Sequence, residues 1–252
     1  HFLGKNDPQN NLLRNGLFKL INNVLFVVDR KDPNLYHPRI AVQNEPVYES
    51  LTPSEKAAFD QLYTHYFYHR HNEFWYHEAM KKLPELTDST RMLVCGEDLG
   101  MIPDCVKGVM DELRILSLEI QRMPKNPAET FGDPAHYSYR SVCTISTHDM
   151  STLRSWWHED ANLTRRYFYD VLGGWGDYPT EAPGWLCDTI VLKHLLGNSM
   201  LCILSLQDWL SINEEVRYPD ADTERINVPA NPRHYWRYRM HITIEDLMQC
   251  TA

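Results

Sequence analysis

Four times in the later part of this chain, a short apolar run gives way to a polar loop or a helical pattern. Residues 92–95 precede an acidic loop and a helix expected over 103–113, and residues 116–120 precede a loop over 121–139. Residues 141–146 lead into a helix from Ser151; residues 200–206 follow a helical stretch at 182–196 and precede another at 207–215. Runs this short, rich in β-formers and separated by helical spacing, are strands. Strands that alternate with helices pair in parallel, because each crossover helix returns the chain to the same end of the sheet. The rhythm therefore predicts an α/β fold of β/α units, and four units are the C-terminal half of an eight-stranded (β/α)8 barrel.

Upstream the texture differs. Residues 1–51 are rich in Asn, Asp and Pro, with short apolar stretches at 17–20, 24–28 and 40–42. They predict an irregular segment holding a β-hairpin, with Ile21-Asn22-Asn23 as its turn. From residue 52 onward Thr52-Pro53-Ser54-Glu55 has the form of a capped helix start. Apolar residues at helical spacing then continue to Leu83, as one long helix or as two joined near Arg70-His71-Asn72. No low-complexity tract separates residue 52 from residue 252, so residues 52–252 are expected to form one barrel half, with residues 1–51 as part of a barrel insertion.

A net charge of -9 argues against a nucleic-acid partner, which needs clustered Lys and Arg. No apolar run approaches the roughly 20 residues that span a bilayer, and residues 1–5 lack a signal-peptide core, so neither a membrane nor export is expected and the cytoplasm is the default. The six cysteines, Cys95, Cys105, Cys143, Cys187, Cys202 and Cys250, are scattered without a Cys-x-x-Cys pair and read as free buried thiols. A first residue that is His and not Met leads us to expect a piece of a longer chain. A half barrel with an open sheet edge is in turn expected to self-associate.

Two acids follow strand candidates. Glu97 lies in Cys95-Gly96-Glu97-Asp98-Leu99-Gly100, and Asp149 in Ser146-Thr147-His148-Asp149. Acids at the carboxyl ends of parallel barrel strands converge over the barrel axis, and paired acids are the machinery of glycosidic-bond chemistry. A general acid must stay protonated, which takes burial or a neighbouring negative charge such as Asp98, although adjacent strand residues face opposite ways. His148 and Asp149 can together hold sugar hydroxyls, and aromatics at 12% of the chain suit stacking on pyranoses as well as they suit a large core. His65 and His69 share a helix face at metal-ligand spacing, but the partners such a site needs do not follow, so no metal is expected. Gly173-Gly174-Trp175-Gly176 carries no Lys and reads as a helix end, not as a phosphate loop.

The two acid motifs, with Thr152-Leu153-Arg154-Ser155-Trp156-Trp157, Leu206-Gln207-Asp208, Ile120-Gln121-Arg122-Met123-Pro124 and Tyr235-Trp236-Arg237-Tyr238-Arg239, resemble the 4-α-glucanotransferases, the amylomaltase or disproportionating-enzyme family (glycoside hydrolase family 77). The resemblance runs over nearly the whole chain and is strongest to the branch with the cytosolic plant disproportionating enzyme. It implies transfer of α-1,4-glucan segments between maltooligosaccharides, with retained configuration and no cofactor. It further implies Glu97 as general acid/base, Asp149 as transition-state stabiliser, His148 as a sugar ligand, and Arg122 and Trp157 lining or supporting the cleft. The family's nucleophilic Asp belongs to an Arg-x-Asp-His-like motif upstream of the glutamate. No such motif occurs in these 252 residues, so the chain alone is expected to be inactive. His234-Tyr235 and Met150-Ser151 depart from the common family pattern. The residues also admit an α-amylase-like hydrolase or a non-catalytic glucan-binding domain.

Overall fold

A capping box opens the helix that starts at Pro53, as the sequence predicts. The Glu55 amide donates to Thr52 Oγ1 at 3.4 Å, and the Thr52 amide donates to the Glu55 carboxylate at 2.8 Å. The computed structural model describes residues 7–250, so the expectation for residues 1–5 lies outside the described residues. The chain divides into two compact units: His1–Lys81 with Pro103–Cys105, and Lys82–Ile102 with Val106–Ala252.

In the first unit, α1 (Pro8–Asn22) is capped by Asp7, whose carboxylate accepts the Asn10 amide at 2.9 Å. Here the structure corrects the sequence reading. Residues 17–20 are helical, and Asn22-Asn23 ends that helix instead of turning a hairpin. The hairpin lies one step later: β1 (Phe26–Val28) pairs antiparallel with β2 (Tyr36–Pro38). Its loop is closed by Asp29, which accepts the amides of Lys31 at 2.7 Å and Asp32 at 3.0 Å. Short polar side chains that bind their own backbone make better turns than asparagines that have a helix to cap. After α2 (Pro46–Glu49), the long helix runs as α3 (Pro53–Thr64), a π-helical stretch His65–Arg70 and α4 (His71–Asp88), joined where the sequence suggested. The His65 and His69 rings lie 6.3 Å apart, and no group of three or more metal-ligating side chains occurs among the described residues.

The hairpin is tied to the π-helical stretch by a relay. His37 bonds Asp29 through Nε2 at 2.7 Å and Tyr66 through Nδ1 at 2.6 Å. The His37 hydrogen bond, helped by the Lys31 and Asp32 amides, holds the Asp29 carboxyl down at about 2. A depressed acid contributes stability above its ordinary value of 3.8, and that contribution is lost as pH falls toward 2. Replacing His37 by Gln should move the carboxyl titration of Asp29, followed by NMR, back up toward 3.8; an unmoved midpoint would refute the relay.

The second unit carries the parallel sheet. The strands β3 (Ser117–Ile120), β4 (Ser141–Thr144) and β5 (Leu201–Cys202) lie in sequence order, with Ile120 opposite Thr144 and Cys143 opposite Cys202. Cys95 adds one parallel bridge, to Leu116 beside β3. The runs at 92–95 and 200–206 are thus shorter as strands than expected, because each meets a neighbour on one edge only among the described residues. Sequential, all-parallel order is the singly wound arrangement that crossovers of one hand produce.

Helices α5 (Cys105–Leu113), α6 (Leu153–Glu159), α8 (Gly184–Leu195) and α9 (Leu206–Leu210) match the predicted helical stretches, although α9 is shorter, and α7 (Ala161–Arg166) is added after α6. A final turn, α10 (Ile244–Gln249), follows. The core gathers Ile145, Leu153, Trp156, Trp157, Tyr167, Phe168, Leu186, Ile190 and Val191. Gly173, at φ 67°, ends the π-helical stretch Tyr167–Val171, and a Cβ on Gly174 would stand 2.4 Å from the Phe168 ring, so these glycines do end a helix. All six cysteines are free, yet only Cys143 and Cys187 are buried, which corrects the expectation of buried thiols throughout. No described helix is long and apolar enough to cross a membrane.

Candidate active site

Strand direction decides what the loops can present. Parallel strands end at one edge of a sheet, so the segments after Cys95, after β3 and after β4 all leave from that edge. Gly96 starts the first of them. A Cβ there would stand 3.0 Å from Met110 Cε on α5 and 3.3 Å from Ile115 Cγ2, so any larger residue would make these side chains shift by a few tenths of an ångström. Glu97 follows, exposed, its carboxylate accepting the Leu99 amide at 2.8 Å.

Asp98 turns the other way. It is 7% exposed, accepts the Leu118 amide at 3.0 Å and pairs with Lys125 Nζ at 2.7 Å. The loop after the Cys95 bridge thus gives the two acids different surroundings, and Asp98, paired with Lys125, is not the bare negative neighbour considered for Glu97. Lys125 also forms an ion pair with Glu119 at 3.2 Å and donates a hydrogen bond to the Ser117 hydroxyl.

His148 and Asp149 sit in the turn after β4, each side chain about half exposed, 3.3 Å apart. Asn227 donates to Asp149 Oδ1 at 2.6 Å, and the Trp236 ring lies 4.7 Å from the His148 ring at 40°. These contacts close around a carboxylate and an imidazole that stay open to solvent, which suits a ligand rich in hydroxyls. No hydrogen bond or ion pair joins Glu97 to Asp149 among the described residues.

Arg122, just past β3, faces inward. Its guanidinium donates to the carbonyls of Ile145 (3.3 Å) and Ser151 (2.7 Å) and to Ser151 Oγ (3.2 Å), and its Cζ stands 5.0 Å from the centre of the Trp156 ring. Burial brings its pKa down to about 10, opposed by the nearby Asp208 and Glu159, so it remains charged at neutral pH. For Trp157 the structure excludes lining of the cleft. It is 1% exposed within the core, its indole N–H donates to the Pro179 carbonyl at 2.8 Å, and its ring stacks on Tyr178 at 5.5 Å. A ring sealed this way cannot stack on a sugar and can only support the site from within.

Several residues of the site escaped the sequence reading. Asn227 sits in no motif singled out there, and Lys125 follows the Ile120-Gln121-Arg122-Met123-Pro124 string by one position. The segment that carries Asn227 is held by a buried pair: Arg154 donates to Glu224 at 2.6 Å and to the Tyr218 carbonyl at 2.6 Å, and Thr152 Oγ1 donates to Glu224 at 3.2 Å. The one signal available was an Arg inside an apolar helical string, a position that demands a buried partner.

Comparison with known proteins agrees with these motifs. Residues 23–244 match the family model described as 4-alpha-glucanotransferase. The chain is 40% identical over 236 residues to the 4-alpha-glucanotransferase DPE2 of Oryza sativa subsp. japonica, covering 94% of this chain and 25% of that protein. It is 32% identical over 174 residues to the 4-alpha-glucanotransferase of Chlamydia trachomatis, covering 66% of this chain and 31% of that one. Among solved structures, the amylomaltase from Streptococcus agalactiae in complex with acarbose aligns at 18% identity with a TM-score of 0.49, over 65% of this chain and 31% of that chain. The chain thus spans about a quarter of the rice relative's length and about three tenths of the chlamydial one. With the family model matched over most of its length, this chain belongs to the 4-α-glucanotransferase family, glycoside hydrolase family 77.

Proposed function

We propose that this chain is the acid/base and stabiliser side of a 4-α-glucanotransferase that moves α-1,4-glucan segments between maltooligosaccharides by a retaining double displacement. The observation that carries the reading is the sequential parallel order of the Cys95 bridge, β3 and β4, with Glu97 following the first and His148-Asp149 following the last. In this reading the sheet is the C-terminal half of a (β/α)8 barrel formed by residues 52–252, and residues 1–51 are an insertion in it. Glu97 protonates the departing glycosidic oxygen and then deprotonates the incoming sugar hydroxyl. Asp149 stabilises the positive charge that develops at the anomeric carbon. His148 holds the sugar hydroxyls, with Asn227 and Trp236 fixing the pair. The nucleophilic carboxylate comes from sequence other than these 252 residues, as does the cover that a proton-donating acid requires.

Incubating the full-length protein with maltotriose tests the reading. Transfer produces a ladder of longer maltooligosaccharides together with shorter products. A product set containing only shorter sugars would assign hydrolysis instead, and saturable glucan binding without turnover would assign a binding domain.

A further inference from the structure

The two segments that carry the candidate carboxylates are both held from a single turn. That turn, residues 121–125, follows β3, and its two cations point in opposite directions along the site. Lys125 reaches back to the segment after Cys95: its ammonium ties Asp98, the residue next to Glu97, to Glu119 and Ser117 on β3. The other carboxylate oxygen of Asp98 accepts the Leu118 amide, so the strand edge and the loop are joined on both sides of the acid. Arg122 reaches forward. One guanidinium holds the carbonyls of Ile145 and Ser151, the two ends of the loop that carries His148 and Asp149. It also bonds the Ser151 hydroxyl, which in turn donates to Glu159 at 3.0 Å on α6. Nη2 bonds both ends of the loop while Nη1 bonds the Ser151 hydroxyl, so one rigid planar group holds the loop at three points, which a lysine point charge does not do.

We propose that Arg122 and Lys125 form a positioning bridge that sets Glu97 and Asp149 relative to one another, Lys125 through Asp98 and Arg122 through the residue 145–151 loop. This rests on the reading of Glu97 and Asp149 as acid/base and stabiliser. It gives a role to Lys125, and it makes Arg122 a residue that acts on the protein loop and not on the glucan. The consequence is a separation of effects. Removing Lys125 loosens the acid/base and leaves the stabiliser loop clamped; weakening Arg122 does the reverse. Displacements of about an ångström in a catalytic group lower rates about 100-fold, so each defect should be large in kcat.

The experiment uses the full-length protein carrying Lys125→Met, Lys125→Arg, Arg122→Lys, Glu97→Gln or Asp149→Asn. With maltotriose, Lys125→Met and Arg122→Lys should each lower kcat about 10- to 100-fold with KM within about threefold, and Lys125→Arg should restore most of the loss. Single-turnover fluoride release from α-maltosyl fluoride, whose leaving group needs no proton, should be near normal in Lys125→Met and slow in Arg122→Lys. Circular dichroism and a urea midpoint confirm that the variants are folded; if Arg122→Lys does not fold, Lys125→Met and its Arg rescue carry the test alone. A kcat within twofold of the parent in folded Lys125→Met overturns the bridge, as does a defect in KM alone. Glu97→Gln and Asp149→Asn retaining full activity would overturn the underlying reading instead, so the two failures are distinguishable.

Discussion

Replacing Glu97 by Gln in the full-length protein should lower transfer from maltotriose by about 1,000-fold while leaving the fold intact. General acid–base catalysis contributes roughly 100- to 10,000-fold, and the amide of Gln can neither deliver nor remove a proton. Glu97 is exposed, and the hydrogen bond it accepts, from the Leu99 amide, can also be accepted by the Gln carbonyl. The loss should therefore appear in rate with no change in the urea midpoint. The neighbouring acid provides the contrast. Asp98 is buried against Lys125, so its replacement by Asn should lower stability as well as rate. Glu97→Gln retaining more than a tenth of parental activity would remove Glu97 from the chemistry.

The largest stability effect is expected at Arg154. Its guanidinium and the Glu224 carboxylate are 8% and 2% exposed and 2.6 Å apart. Burial pushes the Glu224 carboxyl above its ordinary value, and Arg154 with Thr152 pulls the other way. Taking one partner from such a pair strands a buried charge, at a cost of about 3–5 kcal/mol. Arg154→Met should therefore lower unfolding free energy by about that amount at pH 7, measured by urea titration. The sign of the pH dependence follows from linkage. Without Arg154, Glu224 in the folded chain takes up its proton at higher pH than in the unfolded chain, so the folded state binds more protons through that window. The penalty should be greatest near neutrality and shrink as pH falls toward 5. Arg154→Met with Glu224→Leu should recover much of the loss, because two apolar groups leave no charge behind. A cost for Arg154→Met below about 1 kcal/mol would mean that the pair is solvated. The same substitution bears on the site, since Glu224 anchors the segment that brings Asn227 to Asp149.

Local chemistry explains which elements were legible in advance. The capping box at Thr52 and Glu55, the helical spacing from residue 53 through Arg70 to Leu83 and the strand–helix alternation from residue 92 are properties of neighbouring residues, and they appear in the structure. The hairpin lies later than the sequence predicts because Asn22-Asn23 and the Asp29–Asp32 loop are both turn signals, and the helical spacing of residues 8–22 makes the first of them a helix end. At the candidate site, the two acid motifs were readable because their residue types sit at strand ends. For Trp157 the resemblance left lining and supporting the cleft both open, because a motif does not tell whether a ring faces a cleft or a core; the Pro179 carbonyl and Tyr178, about twenty residues away in sequence, place it in the core.

The sequence by itself determined the α/β class, the parallel units and the two acids that follow their strands, since these rest on periodicity and on residues adjacent in the chain. Tertiary structure alone decided that Asp98 turns inward to Lys125 while Glu97 stays open, that Arg122 clamps a loop, and that Asn227 reaches Asp149. Those contacts join residues 23 to 78 positions apart, counting from Arg122 to Ile145 and from Asn227 to Asp149. For Asp98 and Arg122 the reason is that a buried charge must find a partner in space, while Asn227 reaches Asp149 because the Arg154–Glu224 pair anchors its segment, and no local pattern encodes either partner.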